Sequence, residues 1–172
     1  MVKNINTHII CYDDHRGFAE DVKKRFADTA RYQVLSFQTR EEVIDCFEKA
    51  KEHKFCKIAI LGLHETAEQY SLIDHLIMEI KNTDRSTGII LLGPPDKMEE
   101  IKKTLKINID AYIPKNANMI LRIHNAVKKL ISEHNIEVFR KRRNVSLYIL
   151  LSFLLLAVLL ILISYFRLPQ FF

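Results

Sequence analysis

The chain has 172 residues, 48% apolar and 27% charged, enough for one well-cored domain and an appendage. Its formal charge of +5 is concentrated: Arg140, Lys141, Arg142, Arg143 and Arg167 hold the whole excess, and the residues before Arg140 carry 21 cations against 21 anions. That balance argues against a nucleic-acid surface on the body of the protein.

In chain order, short apolar runs alternate with amphipathic ones. Residues 7–13, THIICYD, read as a strand, and Phe18, Val22 and Phe26 recur at helical spacing after it. YQVLSF, 32–37, is a second strand. Thr39 followed by Glu42 has the form of a capping box, with Val43, Ile44 and Phe47 on the face behind it. KIAILGL, 57–63, is a third strand, and Leu72, Ile73, Leu76, Ile77 and Ile80 mark the next helix. TGIILLG, 87–93, is a fourth strand, stopped by Pro94-Pro95, and Asp96 with Glu99 resembles a second capping pair before Ile101 and Leu105. IDAYIP, 109–114, is a fifth strand, and Ile120, Leu121, Ile123, Val127, Leu130 and Ile131 define a last helix. Strands alternating with helices predict parallel pairing through right-handed crossovers: a doubly wound, five-stranded parallel α/β sheet. The third and fourth strands are the most continuously apolar and are expected at the centre, covered on both faces.

Beyond this domain, set at 1–135, comes a basic juxtamembrane segment, 136–144, then Val145–Phe166, 22 residues without a charge, and a short tail, 167–172. A helix of that length spans about 33 Å, enough to cross a hydrocarbon core of ~30 Å. Its every face is apolar, so a transmembrane helix is expected. Tyr148 and Tyr165 suit the two interfaces. Arg140, Lys141, Arg142 and Arg143 on one side against Arg167 on the other place the N-terminal domain in the cytoplasm, with the cluster against anionic headgroups. Neither proline nor glycine interrupts Leu130–Val145, so the last helix either continues into the span or breaks around Ser132–Asn135. Cys11, Cys46 and Cys56 form no CxxC pair and read as buried, reduced thiols, in keeping with a cytosolic head. The seven histidines show no ligand spacing.

The strand ends carry the chemistry in such a sheet. Asp13 and Asp14 close the first strand, and Tyr112 stands three residues before Lys115 at the end of the fifth. Gly62 ends the third strand and Gly93 the fourth, separated by 31 residues, with Lys115 a further 22 on. In this order and spacing the head resembles a response-regulator receiver domain of the chemotaxis-regulator type, over about 130 residues. The resemblance implies a flavodoxin-like fold, an acidic pair at Asp13 and Asp14, a switch aromatic at Tyr112 and the family's lysine at Lys115. It also implies that the phosphoacceptor aspartate is replaced by Gly62 and the switch Ser/Thr by Gly93. The proline usual after the lysine is Asn116 here, and Pro114 precedes the lysine instead.

An aspartyl phosphate needs a carboxylate nucleophile and a Mg²⁺ that bridges it to the phosphoryl oxygens. With Gly62 in that place, no catalytic residue, enzyme activity, cofactor or small-molecule substrate is expected, and Asp13 and Asp14 would hold Mg²⁺ weakly at most. His64 and Glu65 are the nearby groups a displaced reaction would have to use, under demanding geometry. GxGxxG, GxxxxGK[ST] and GxSxG motifs are missing, and two aspartates follow the first strand where a flavin phosphate loop would be. The expectation is a degenerate, membrane-tethered receiver acting as a phosphorylation-independent interaction module in bacterial two-component-type signalling, at the inner membrane. Its partner would be a signalling protein or a second copy, met through residues 97–106, 110–114 and 119–131. The alternatives are an atypical receiver still phosphorylated, or Mg²⁺-dependent, through the acidic pair, and a tail-anchored scaffold. The span has no GxxxG to favour tight helix pairing.

Overall fold

The computed structural model describes residues 7–13, 16–28, 31–50, 55–63, 67–105 and 108–167. The elements run β1 (Thr7–Tyr12), α1 (Arg16–Arg25), β2 (Tyr32–Phe37), α2 (Arg40–Lys49), β3 (Cys56–Gly62), α3 (Ala67–Thr83) and β4 (Gly88–Gly93). A 3-10 turn (Pro95–Lys97), α4 (Met98–Thr104), β5 (Ala111–Pro114) and α5 (Met119–Arg167) complete the order. Contacts divide the chain into two units, Met1–Ser132 and Glu133–Phe172.

In the first unit the strands form one parallel sheet in the order β2-β1-β3-β4-β5. Every residue of β3 and β4 is buried, whereas the edge strand β2 is only partly covered. This is the burial expected of strands with helices on both faces. Because side chains alternate across a strand, neighbouring residues feed opposite cores. Ile10, Ala59, Leu61, Ile89 and Leu91 pack with Val43 and Phe47 of α2, Ile73, Leu76, Ile77 and Ile80 of α3, and Met98 and Ile101 of α4. Ile9, Ile58, Ile60, Ile90 and Leu92 pack with Phe18 and Val22 of α1 and with Ile123 and Val127 of α5. The helical periodicity in the sequence marked these faces well, except that Leu72 and Leu121 are more than half exposed.

Helix starts differ from expectation in two places. Thr39 caps α2, its side chain accepting from the Glu42 N–H at 3.4 Å, but Glu42 reaches back to the N–H of Gln38 rather than to that of Thr39. The pair Asp96–Glu99 caps nothing: Pro94-Pro95 leads into a 3-10 turn that contains Asp96, and α4 starts behind Lys97 without a side-chain cap. β5 begins at Ala111, two residues later than expected, because Asp110 turns its carboxylate to accept the Ile89 N–H at 2.7 Å. That bond anchors the edge strand's entry to β4.

The N-terminal rim of the sheet holds ion pairs that no local pattern announces. Lys57, with its side chain 1% exposed, donates to Asp84 at 2.8 Å, and Asp84 also accepts from the Ser86 N–H and hydroxyl. Lys81 donates to the Thr87 carbonyl at 2.7 Å and lies 3.7 Å from Asp110. Away from that rim, between two helices, Arg40 at the start of α2 pairs with Glu79 of α3.

Helical backbone runs through Ser132–Asn135, where a break was the other possibility. In the second unit the side chains from Arg140 to Leu162 are exposed, and α5 includes a stretch long and apolar enough to cross a membrane, none of it buried.

Candidate functional site

The C-terminal ends of β1, β3, β4 and β5 come together because parallel strands release their loops on one side. Tyr12 lies opposite Leu61, so the next residues, Asp13 and Gly62, emerge side by side. Gly62 in turn pairs with Leu92, and Gly93 with Pro114, which brings Lys115 to the same rim. Two backbone bonds tie the rim beyond the strands: Leu63 N–H donates to the Leu92 carbonyl and Lys115 N–H to the Gly93 carbonyl, both at 2.8 Å.

Asp13 is buried, its side chain 3% exposed, and its Oδ2 lies 3.0 Å from the Lys115 ammonium. A buried carboxylate is costly unless paired and hydrogen-bonded, and Lys115 meets that requirement. The carboxylate lies directly against Gly62. A Cβ on residue 62 would fall 2.1 Å from Asp13 Oδ2, 2.5 Å from its Cγ and 3.0 Å from its Cβ. Gly62 has no positive φ, so the requirement for glycine is one of space rather than of torsion.

Gly93 is crowded in the same way from the other side. A Cβ there would fall 2.8 Å from Ile101 Cδ1, with Met98 Cε and Sδ at 3.6 and 3.8 Å. The ends of two α4 side chains therefore fill the space where the resemblance places a switch hydroxyl. Tyr112 is half-buried against the same core, and burial pushes its phenol up from the ordinary range while the Lys102 ammonium pulls it down.

Of the residues singled out from the sequence, Asp13, Gly62, Gly93, Tyr112 and Lys115 are thus gathered at one rim. Asp14, His64 and Glu65 lie outside the described residues. The parts that sequence reasoning missed are Met98 and Ile101. Ile101 was legible as an apolar helix position, Met98 was not singled out, and the strand end they cover was not legible for either. Asp13 is the one described carboxylate at this rim, and the Lys115 ammonium lies 3.0 Å from its Oδ2. Among the described residues no group of three or more His, Cys, Asp or Glu gathers in a way that could hold a metal. Nor is there a redox pair among the thiols. Cys11 and Cys56 are buried, Cys46 half-buried, and all three are free. Arg140, Lys141, Arg142 and Arg143 belong to the second unit, all exposed.

No protein-family model matches the sequence, and no curated protein matches it. Solved structures do. The chain is similar to a response regulator receiver domain protein from Clostridium thermocellum, with a TM-score of 0.59 at 14% identity over 76% of this chain and 98% of that one. A CheY-like receiver domain protein from Methanospirillum hungatei JF-1 superposes with a TM-score of 0.57 at 19% identity, covering 77% of this chain and 98% of that one. A CheY-like protein, TadZ, from Pseudomonas aeruginosa PAO1 gives 0.56 at 11% identity over 73% and 99%. With this strand order and these neighbours, the chain has the fold of response-regulator receiver domains, followed by one long apolar helix.

Proposed function

We propose that this chain is a membrane-tethered pseudo-receiver: a phosphorylation-independent protein-interaction module of bacterial two-component-type signalling, not an enzyme. The observation that carries the reading is the Asp13–Lys115 pair at 3.0 Å, lodged where a side chain on residue 62 would stand. Among the described residues the pocket lacks a carboxylate on β3 to attack phosphorus and a hydroxyl at Gly93 to bind a phosphoryl oxygen, and its lysine is already paired with Asp13. Those are the groups that aspartyl phosphorylation requires. What the fold keeps is a surface. Residues 97–106, 110–114 and 119–131 present the exposed Lys102, Lys103, Leu121 and Arg122 to a partner protein, a signalling component or a second copy. The span from Val145 would anchor the module in the inner membrane, with Arg140–Arg143 on the cytoplasmic side, against anionic lipid.

The test is phosphoryl labelling of the full chain in nanodiscs with radiolabelled acetyl phosphate and Mg²⁺. The expected result is no incorporation, unchanged in Asp13→Asn. Alkali-labile, hydroxylamine-sensitive label that disappears in Asp13→Asn would overturn the reading in favour of an atypical, still phosphorylated receiver.

A further inference from the structure

Two glycines at one rim invite the reading that reactive side chains were simply lost. The distances say something different, since a side chain at either position would have to displace one that is already there. At Gly62 the obstacle is the Asp13 carboxyl group, its Oδ2 and Cγ 2.1 and 2.5 Å from the added Cβ, while the Asp13 Cβ at 3.0 Å is a tight contact that a small shift relieves. At Gly93 it is the tip of Ile101, a residue with no solvent exposure. Between the two runs an unbroken set of contacts. Asp13 fills the space beside Gly62 and holds the Lys115 ammonium at 3.0 Å. Lys115 donates its N–H to the Gly93 carbonyl at 2.8 Å, and Gly93 receives Ile101 and Met98 of α4.

We infer that the Asp13 carboxylate is a built-in occupant of the pocket which, through Lys115 and Gly93, holds α4 and the β5 edge in one fixed arrangement. The inference rests on the reading of the site as unphosphorylated and adds how that site is regulated: its occupant is covalently part of the chain. The anion that closes the rim cannot be added or removed, so α4 is presented to a partner continuously. Gly62 is then a condition for the latch, because any Cβ there expels the carboxylate and leaves Lys115 without its anion. Packed contacts couple sites only if a perturbation at one end is felt at the other, and this set makes that testable.

The experiment is hydrogen–deuterium exchange by mass spectrometry on the full chain in nanodiscs, following peptides over 98–105 and 111–116, with 32–49 as the far-edge control. Asp13→Ala and Gly62→Ala should each speed exchange at 98–105 by about tenfold, leaving the control unchanged. Adding Gly62→Ala to Asp13→Ala should change exchange by less than about twofold, because the obstacle is already gone. Equal effects of Gly62→Ala in both backgrounds, or an unchanged 98–105 in Asp13→Ala, would overturn the latch. If Gly62→Ala alone does not fold, recovery of a folded chain in the double variant supports the latch. If neither folds, Asp13→Ala alone decides it. The two proposals fail separately. Phosphoryl label with non-additive exchange removes the pseudo-receiver and the permanence of the latch but keeps Asp13, Lys115 and Gly93 as the route to α4, whereas no label with additive exchange removes the latch alone.

Discussion

Asp84→Asn and Lys57→Met remove the same ion pair from opposite ends, and the structure says they are not equivalent. Lys57 has 1% of its side chain exposed, while Asp84 has 21% and keeps two bonds from Ser86. Asp84→Asn leaves an ammonium buried at the base of the central strand without its anion, a loss of about 3–5 kcal/mol. In Lys57→Met the remaining carboxylate still has Ser86 and some solvent, and the methionine keeps the apolar stem in place, so about 1 kcal/mol is expected. At a urea slope of ~2 kcal/mol/M the midpoints should fall by about 2 M and about 0.5 M. Far-UV circular dichroism of the full chain in detergent micelles reads both. The pH dependence adds a second check. Burial pushes the Asp84 carboxyl up, but bonds from Lys57 and Ser86 outweigh it and hold the group below its usual range. A carboxyl with a depressed folded pKa contributes stability that is present above its unfolded value of ~3.9 and is lost as pH falls through the lower folded value. Lys57→Met should flatten that acid-side loss. Equal midpoints for the two variants, or a larger fall for Lys57→Met, would refute the assignment of Lys57 as the buried partner.

Other consequences are as direct. Burial pushes the Cys11 and Cys56 thiols up to about 12 and raises Cys46 as well. With Cys46 the least buried of the three, iodoacetamide at pH 8 should modify it first in the folded chain, and peptide mapping that finds Cys11 or Cys56 modified as fast would contradict the packing. Gly93→Ser must move the tip of Ile101, 2.8 Å from the new Cβ, at a cost of about 1 kcal/mol in thermal or urea unfolding. The same variant should gain no phosphoryl label, and label appearing there would mean that the missing hydroxyl alone kept the site silent. Replacing Arg140, Lys141, Arg142 and Arg143 by Gln should remove about 1 kcal/mol of attraction per charge to anionic lipid. In protease-protection assays the N-terminal domain of that variant should lose its uniform cytoplasmic orientation, and an unchanged orientation would show that other features set it.

The strands and helices were legible because they depend on local pattern. The short apolar run Ile58–Gly62 reads as a strand covered on both faces, and the spacing of Phe18, Val22 and Phe26 as a helix with one buried side. Alternation of the two then left parallel pairing as the available topology. The candidate site was legible as residue types in order, through its resemblance to receivers, but its state was not. That Ile101 fills the space beside Gly93 depends on how α4 folds back over the end of β4, and that Asp13 fills the space beside Gly62 depends on a distance between segments tens of residues apart in the chain. The same holds for Lys57 with Asp84 and Arg40 with Glu79. Even near neighbours can be misjudged when a stronger local constraint intervenes, as Pro94-Pro95 did in drawing Asp96 into a 3-10 turn. The amino-acid order determined by itself which segments would be buried and on which side, since that follows from the free energy of removing apolar groups from water. Only the tertiary structure decided that the two glycines are spaces already taken, because steric exclusion and ion pairing act between atoms that the sequence keeps far apart.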